Sequence, residues 1–96
     1  MATKTIKGNL VLKKDTVFED SIVVEGSIVG KDNERYDLTV KGDISAHNIS
    51  AYNISARGSI SYYAVCFAYY NIVCHSIKGA RNGAKHFVLD GKITIR

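Results

Sequence analysis

The sequence predicts an all-β fold: a short parallel β-helix (β-solenoid) of about five rungs with roughly 16–21 residues per turn, whose handedness the period alone does not determine. Two observations lead to this prediction. The tripeptide Ile-Ser-Ala occurs three times, beginning at Ile44, Ile49 and Ile54, which is a period of five residues. Isolated glycines recur at steps of 18, 16, 16, 21 and 12 residues, and they are Gly8, Gly26, Gly42, Gly58, Gly79 and Gly91. A period of five residues inside a period of about sixteen is typical of a chain coiled so that each turn has three short sides.

Length and composition fit one solenoid domain over residues 1–96. The chain is 46% hydrophobic and 23% charged, as ordinary globular domains are, and it has no proline, the residue that most often interrupts strands. A β-sandwich would also join alternating strands through glycine turns. It would give no reason for Ile-Ser-Ala to recur every five residues.

The elements follow from one repeated unit, apolar-x-Gly-x-apolar. Its copies are Ile6–Leu12, Val24–Gly30, Val40–Ala46, Ala56–Tyr62 and Leu89–Ile95, with a half copy at Ile77–Gly79. Because side chains alternate along a strand, we expect Ile44 and Ala46 to face inward and Ser45 to face water. We expect the glycines at corners, where positive φ is often needed. Asn48 and Asn53 are expected at corresponding corners, since asparagine tolerates the left-handed region.

Two segments depart from the repeat. The polar stretch 31–37 and the turn-rich stretch 79–87 are predicted to be irregular excursions between strands. No segment keeps a 3.6-residue apolar period over several turns, so no helix is predicted.

The longest step between glycines contains an aromatic run with strict alternation. Small residues, namely Ala64, Cys66 and Ala68, are predicted to fill the narrow interior. Large residues then face outward and form the candidate interface: Tyr63, Val65, Phe67 and Tyr69. Alternatively, the segment 79–87 or the last strand covers this face. A base-stacking platform for single-stranded nucleic acid is a third interpretation, but the run from Tyr62 to Tyr70 contains no cation.

Chemistry-bearing residues form no recognisable catalytic, cofactor or metal site. Cys66 and Cys74 fit neither a disulfide framework nor a paired Cys-x-x-Cys zinc pattern, and with His75 they lack a fourth ligand. We expect both cysteines to be buried as small hydrophobic residues. Carboxylates cluster in the first half of the chain, mostly at predicted turns, and leave a small carbohydrate-active enzyme as the enzymatic alternative.

Charge is distributed unevenly along the chain. The net charge is +4; residues 1–48 hold seven Lys/Arg against eight Asp/Glu, and residues 49–96 hold six against one. This asymmetry is compatible with an anionic partner, although the basic residues are scattered rather than clustered. The first residues contain no apolar signal region, and no apolar run reaches the ~18–20 residues of a membrane span. A cytoplasmic location is therefore expected.

With the repeated unit established, the segments Ile6–Leu12, Val24–Gly30, Val40–Ala46 and Ala56–Tyr62 resemble the bactofilin family of polymer-forming β-helix proteins. The resemblance implies a right-handed helix that assembles end to end without nucleotide. The chain differs from that family in its aromatic run, in its irregular last rungs and in lacking proline-containing tails.

Taken together, these features predict a non-enzymatic structural or assembly protein without a cofactor. We expect it to form a homo-oligomer, either through the aromatic outer face or through its end rungs, which show no capping helix and where Lys4, Lys7, Lys92 and Arg96 would oppose stacking. The alternative is a binding module, of bacterial or phage origin, whose aromatic face and basic C-terminal half engage a protein or nucleic acid.

Overall fold

The computed structural model describes residues 3–34 and 36–96 and confirms the all-β solenoid. The described residues contain no α-helix, and their helical part is one 3₁₀ turn at Lys31–Asn33. The strands are β1 (Thr3–Ile6), β2 (Leu10–Leu12), β3 (Thr16–Phe18), β4 (Ser21–Val24), β5 (Ser27–Gly30), β6 (Leu38–Val40), β7 (Ile44–Ala51), β8 (Ile54–Ala56), β9 (Ser59–Ala68), β10 (Ile72–Cys74), β11 (Ser76–Gly79), β12 (Lys85–Val88) and β13 (Ile93–Ile95).

The strands form a coil with three sides, and every strand pair is parallel. The third side is a sheet of five strands, β3, β6, β8, β10 and β13, so the described chain makes five turns. The first side comprises β1, β4, the beginnings of β7 and β9, and β11. The second side comprises β2, β5, the ends of β7 and β9, and β12. Thus β7 and β9 each bend round the corner between two sides.

The Ile-Ser-Ala repeat occupies the third turn, with one copy on each side. Ile44, Ile49 and Ile54 are each 1% exposed, and the alanine two positions later is also buried in every copy. The serines between them face outward. Register then aligns Ile22, Ile44 and Ile60 in one interior column. Fully burying each isoleucine contributes about 1.5–3 kcal/mol, so every turn that adds one to the column stabilises the coil.

Polar side chains form hydrogen-bonded ladders at the corners. Asn53 donates its side-chain N–H to Asp37 Oδ1 of the turn below at 2.9 Å, and its Oδ1 accepts the backbone N–H of Asn71 in the turn above at 3.1 Å. Similarly, Oδ1 of Asn48 accepts a hydrogen bond from the backbone N–H of Val65 in the turn above. The expectation that these asparagines serve left-handed corners is therefore wrong. Among the described non-glycine residues, positive φ occurs at Asp32 alone, and the asparagines instead join successive turns.

The glycine prediction is also corrected in its mechanism. Among the described glycines, positive φ occurs at Gly8 and Gly83 and not at Gly26, Gly42 or Gly58. A Cβ at Gly26, Gly42 or Gly58 would collide with the side chain of a corner residue in the preceding turn, and at Gly26 and Gly42 also with the backbone of that turn. Here glycine provides space for the corner ladder rather than an unusual backbone conformation.

The two excursions have different outcomes. The segment 79–87 is less irregular than predicted, because Gly79 ends β11 and β12 resumes at Lys85, which leaves the turn to residues 80–84. The stretch 31–37 contains the 3₁₀ turn, and its Arg35 lies outside the described residues.

Candidate functional site

The predicted outward residues lie on the fourth turn, where β9 crosses from the first side to the second. Burial alternates along this strand: Ala64, Cys66 and Ala68 are at most 7% exposed. Tyr63 is 46% exposed, and Val65, Phe67 and Tyr69 are partly exposed between the buried positions. The alternation is therefore as expected. It continues through a register shift, since Ala46 pairs with Tyr62 whereas Asn48 pairs with Val65 and gives β9 one extra residue at the corner.

No later segment of the described chain folds over this face. Instead, β12 pairs in parallel with the end of β9 and extends the second side by one turn. Phe87 becomes the Cα partner of Phe67, and the two ring centroids lie 5.0 Å apart. The last strand, β13, pairs on the third side. The segment that could have covered the aromatic residues thus adds a further aromatic residue to them.

Two aromatic clusters border the second side at its corners. His47 and Tyr63 stack at the corner with the first side, with centroids 4.7 Å apart and planes 22° apart. Tyr52 stacks on Tyr69 at the other corner, at 5.5 Å and 8°, and also contacts Tyr70. We call the hydrophobic and aromatic residues of this outward surface the aromatic stripe; they are Val11, Val29, His47, Tyr52, Tyr63, Val65, Phe67, Tyr69, Tyr70 and Phe87.

Tyr62 has a different position, which the sequence analysis did not assign. It is 2% exposed and points into the coil between Ala46 below and Gly79 above. A Cβ at Gly79 would lie within 3.0 Å of the Tyr62 ring, so glycine in the fifth turn leaves room for the phenol. The Tyr62 hydroxyl lies 2.6 Å from Nδ1 of His86, whose ring packs edge-on against the phenol. Strand alternation could have predicted this position, because Tyr62 lies an even number of residues from Ala64 and Cys66, which face the interior.

The cysteines are free and buried, as predicted. Burial, with a smaller contribution from Cys74, raises the pKa of Cys66 to about 12, and burial also raises the pKa of Cys74. Register places His86 directly above Cys66, but the Nδ1 atom of His86 is already engaged by Tyr62. The Cys66 thiol therefore stays protonated at neutral pH, which does not suit a nucleophile.

Several carboxylates of the first half belong to the corner ladders. Asp15 and Asp43 each accept a backbone N–H from the next turn, at 3.0 and 2.7 Å. Within residues 3–34 and 36–96, no cluster of three or more His, Cys, Asp or Glu side chains could hold a metal ion. At these two corners the carboxylates thus serve as hydrogen-bond acceptors that join successive turns.

No family model matches the chain, and neither a curated protein nor a solved structure is significantly similar to it. Among the described residues, no helix is both long and apolar enough to cross a membrane.

Proposed function

We propose that this protein is a non-enzymatic structural module that self-associates laterally through the aromatic stripe. One observation carries the proposal: large hydrophobic side chains exposed to solvent concentrate on this one face. Of the eight exposed large hydrophobic residues in the described chain, five belong to the stripe, and they are Val11, Tyr52, Tyr63, Tyr70 and Phe87. Contiguous exposed patches of this kind usually mark interaction surfaces.

A second copy of the chain suits this surface. The central outward column of the second side, formed by Val11, Val29, Ser50, Phe67 and Phe87, carries no charged group, and aromatic residues are favoured at the centres of interfaces. Two copies related by a twofold axis can place the same stripe against itself. The stripe is about 24 Å tall and about 15 Å wide, or on the order of 400 Å² per partner. Stable complexes bury about 800 Å² per partner, so we expect weak, concentration-dependent association.

The end rungs support self-association less well. Lys4 is the register partner of Ile22 and therefore occupies an interior position at the open end of the first turn, where its ammonium lies 5.8 Å from the Phe18 ring centroid. His86 occupies the equivalent kind of position in the fifth turn, above Cys66. Stacking one molecule on another would bury both polar groups, and inward-pointing charges are a common protection of strand edges. End-to-end assembly, which the bactofilin resemblance implies, stays a second route within this proposal.

Sedimentation velocity over a wide concentration range tests lateral association. We expect a monomer–dimer equilibrium that Phe87→Thr weakens, because threonine keeps a β-branched residue in the strand and removes the ring. Val17→Thr is the matched control, since Val17 is 56% exposed on the outer face of the third side. A monomer at every concentration, or equal weakening by both variants, would refute the proposal.

A binding module for single-stranded nucleic acid is the second candidate, and the fifth turn favours it. The backbone N–H of Arg81 bonds to the Tyr63 carbonyl, and Lys85 is the register partner of Val65, so two cations border the stripe. Stacking surfaces flanked by cations bind nucleic acid in a salt-dependent manner. Salt distinguishes the two candidates: it weakens oligonucleotide binding, whereas it screens repulsion between two positively charged copies and strengthens self-association.

The two free thiols are compatible with a reducing compartment, so we place the proposed activity in the cytoplasm.

A further inference from the structure

We propose that a groove on the third side binds a diphosphate group. The groove lies away from the aromatic stripe, and its volume is about 320 Å³. It is lined by Thr39, Val40, Lys41, Ser55, Ala56, Arg57 and Arg96. We call it the basic groove, because three of these side chains are cations and none is a carboxylate.

The solenoid repeat brings the cations together. Lys41, Arg57 and Arg96 each directly follow a strand of the third side, namely β6, β8 and β13. Their backbone N–H groups bond to the strand of the preceding turn in the same way, to the carbonyls of Phe18, Val40 and Cys74 at 2.9–3.0 Å. They therefore occupy one corner position in different turns, although they are far apart in sequence. Neighbouring turns are about 4.8 Å apart, so Lys41 and Arg57, in adjacent turns, can contact one small ligand. Arg96 lies two turns beyond Arg57 and lines the same groove from its far end.

Most of this charge is not neutralised within the described residues. Their one ion pair joins Lys41 Nζ to Glu19 Oε1 at 3.1 Å, with both side chains well exposed, so neither Arg57 nor Arg96 has an acidic partner there. The floor of the groove adds two hydroxyl groups. Thr39 and Ser55 are register partners on the outer face of β6 and β8, and in the described chain neither hydroxyl makes a hydrogen bond.

The donor set favours a phosphate ligand over a carboxylate. Guanidinium groups bind phosphate oxygens in a bidentate manner, and the hydroxyls can serve the remaining oxygens. Three cations match a diphosphate better than a single carboxylate or sulfate. A long polyanion fits less well, because the corner column does not remain basic: Glu19 occupies the position in the first turn and His75 follows β10 in the fourth. The ligand class is therefore a compact molecule with a diphosphate group.

Isothermal titration calorimetry with inorganic pyrophosphate tests the site. We expect saturable binding of one pyrophosphate per chain, weaker binding of orthophosphate and sulfate, and about a tenfold loss of affinity in Arg57→Gln. Arg96→Gln, at another turn, serves as the second variant should Arg57→Gln fail to fold. Glu19→Gln is expected to strengthen binding about two- to threefold, because it releases Lys41.

Arg81→Gln is the matched control, since it removes the same charge from the fifth turn outside the groove. An equal loss in Arg57→Gln and Arg81→Gln would show a general charge effect and overturn the proposal. Sulfate binding as tight as pyrophosphate, or an oligonucleotide that pyrophosphate does not displace from the groove, would also overturn it. Phe87→Thr is expected to leave pyrophosphate binding unchanged, so this test is independent of the aromatic stripe.

Discussion

Replacing Gly58 by alanine tests why the solenoid needs glycine at its corners. An added Cβ would collide with the Asp43 carboxylate, whose Cγ would lie at 3.0 Å, and would approach the carbonyl carbon of Gly42 at 3.3 Å. Asp43 could move away only by giving up its 2.7 Å hydrogen bond from the backbone N–H of Ser59. Crowding costs about 1–3 kcal/mol and losing a hydrogen bond to a charged group about 1.5–3 kcal/mol. We expect Gly58→Ala to lower the free energy of unfolding by about 3 kcal/mol, out of the ~5–14 kcal/mol typical of a chain this long.

A double-mutant cycle with Asp43→Ala separates crowding from backbone conformation. Asp43→Ala removes the colliding side chain, so we expect Gly58→Ala to cost less than about 1 kcal/mol in that background, a coupling of about 2 kcal/mol. Urea unfolding followed by the fluorescence of the six tyrosines provides the assay, since the chain has no tryptophan. Additive costs would refute the crowding mechanism. Gly8 is the contrasting site, because its φ is +76° with no atom within 4 Å of an added Cβ; there Gly8→Asn should cost less than Gly8→Ala.

Two further predictions concern the interior of the fourth turn. Tyr62→Phe removes the 2.6 Å hydrogen bond to His86 and should cost about 0.5–1.5 kcal/mol in urea unfolding, whereas Tyr62→Ala also leaves a cavity and should cost about 3–5 kcal/mol; equal costs would contradict the packing beside Gly79. Cys66 should resist thiol reagents until the chain unfolds. Its pKa rises from 9.0 to about 12 on folding, so the unfolded chain releases this proton first and stability should fall between about pH 9 and 12. Cys66→Ala should show a smaller alkaline loss, and an unchanged loss would contradict the assignment.

The arrangement of the interior could be predicted because it depends on local sequence patterns alone. Strand alternation determines which residues face inward, and a five-residue period determines how many sides the coil has. The pattern Ile-Ser-Ala contains both facts, so the third turn followed directly from Ile44, Ile49 and Ile54. The same parity correctly assigned Ala64 and Cys66 to the interior and Tyr63 to the surface.

Contacts between turns were not predictable in the same way, because they join residues about sixteen to twenty-four positions apart. The need for glycine at Gly58 depends on the Asp43 side chain in the preceding turn. Likewise, the space for Tyr62 depends on Gly79 in the following turn. Neither Gly58 nor Gly79 is distinctive in its local sequence. The need for glycine at these positions is visible only when the register between turns is known. A search for Asp, Asn or Ser one turn before each corner glycine would have found the ladder.

The outer faces of the three sides can diverge because the interior does not constrain them. Register gives the first side outward Ser45 and Ser61, the second side Phe67 and Phe87, and the third side hydroxyl residues beside a basic corner. Substitution at an outward position changes one of these surfaces and leaves the buried columns intact. The aromatic stripe and the basic groove can therefore act as separate surfaces of one rigid coil. Loss of self-association in Phe87→Thr with retained pyrophosphate binding, and the reverse in Arg57→Gln, would demonstrate that independence.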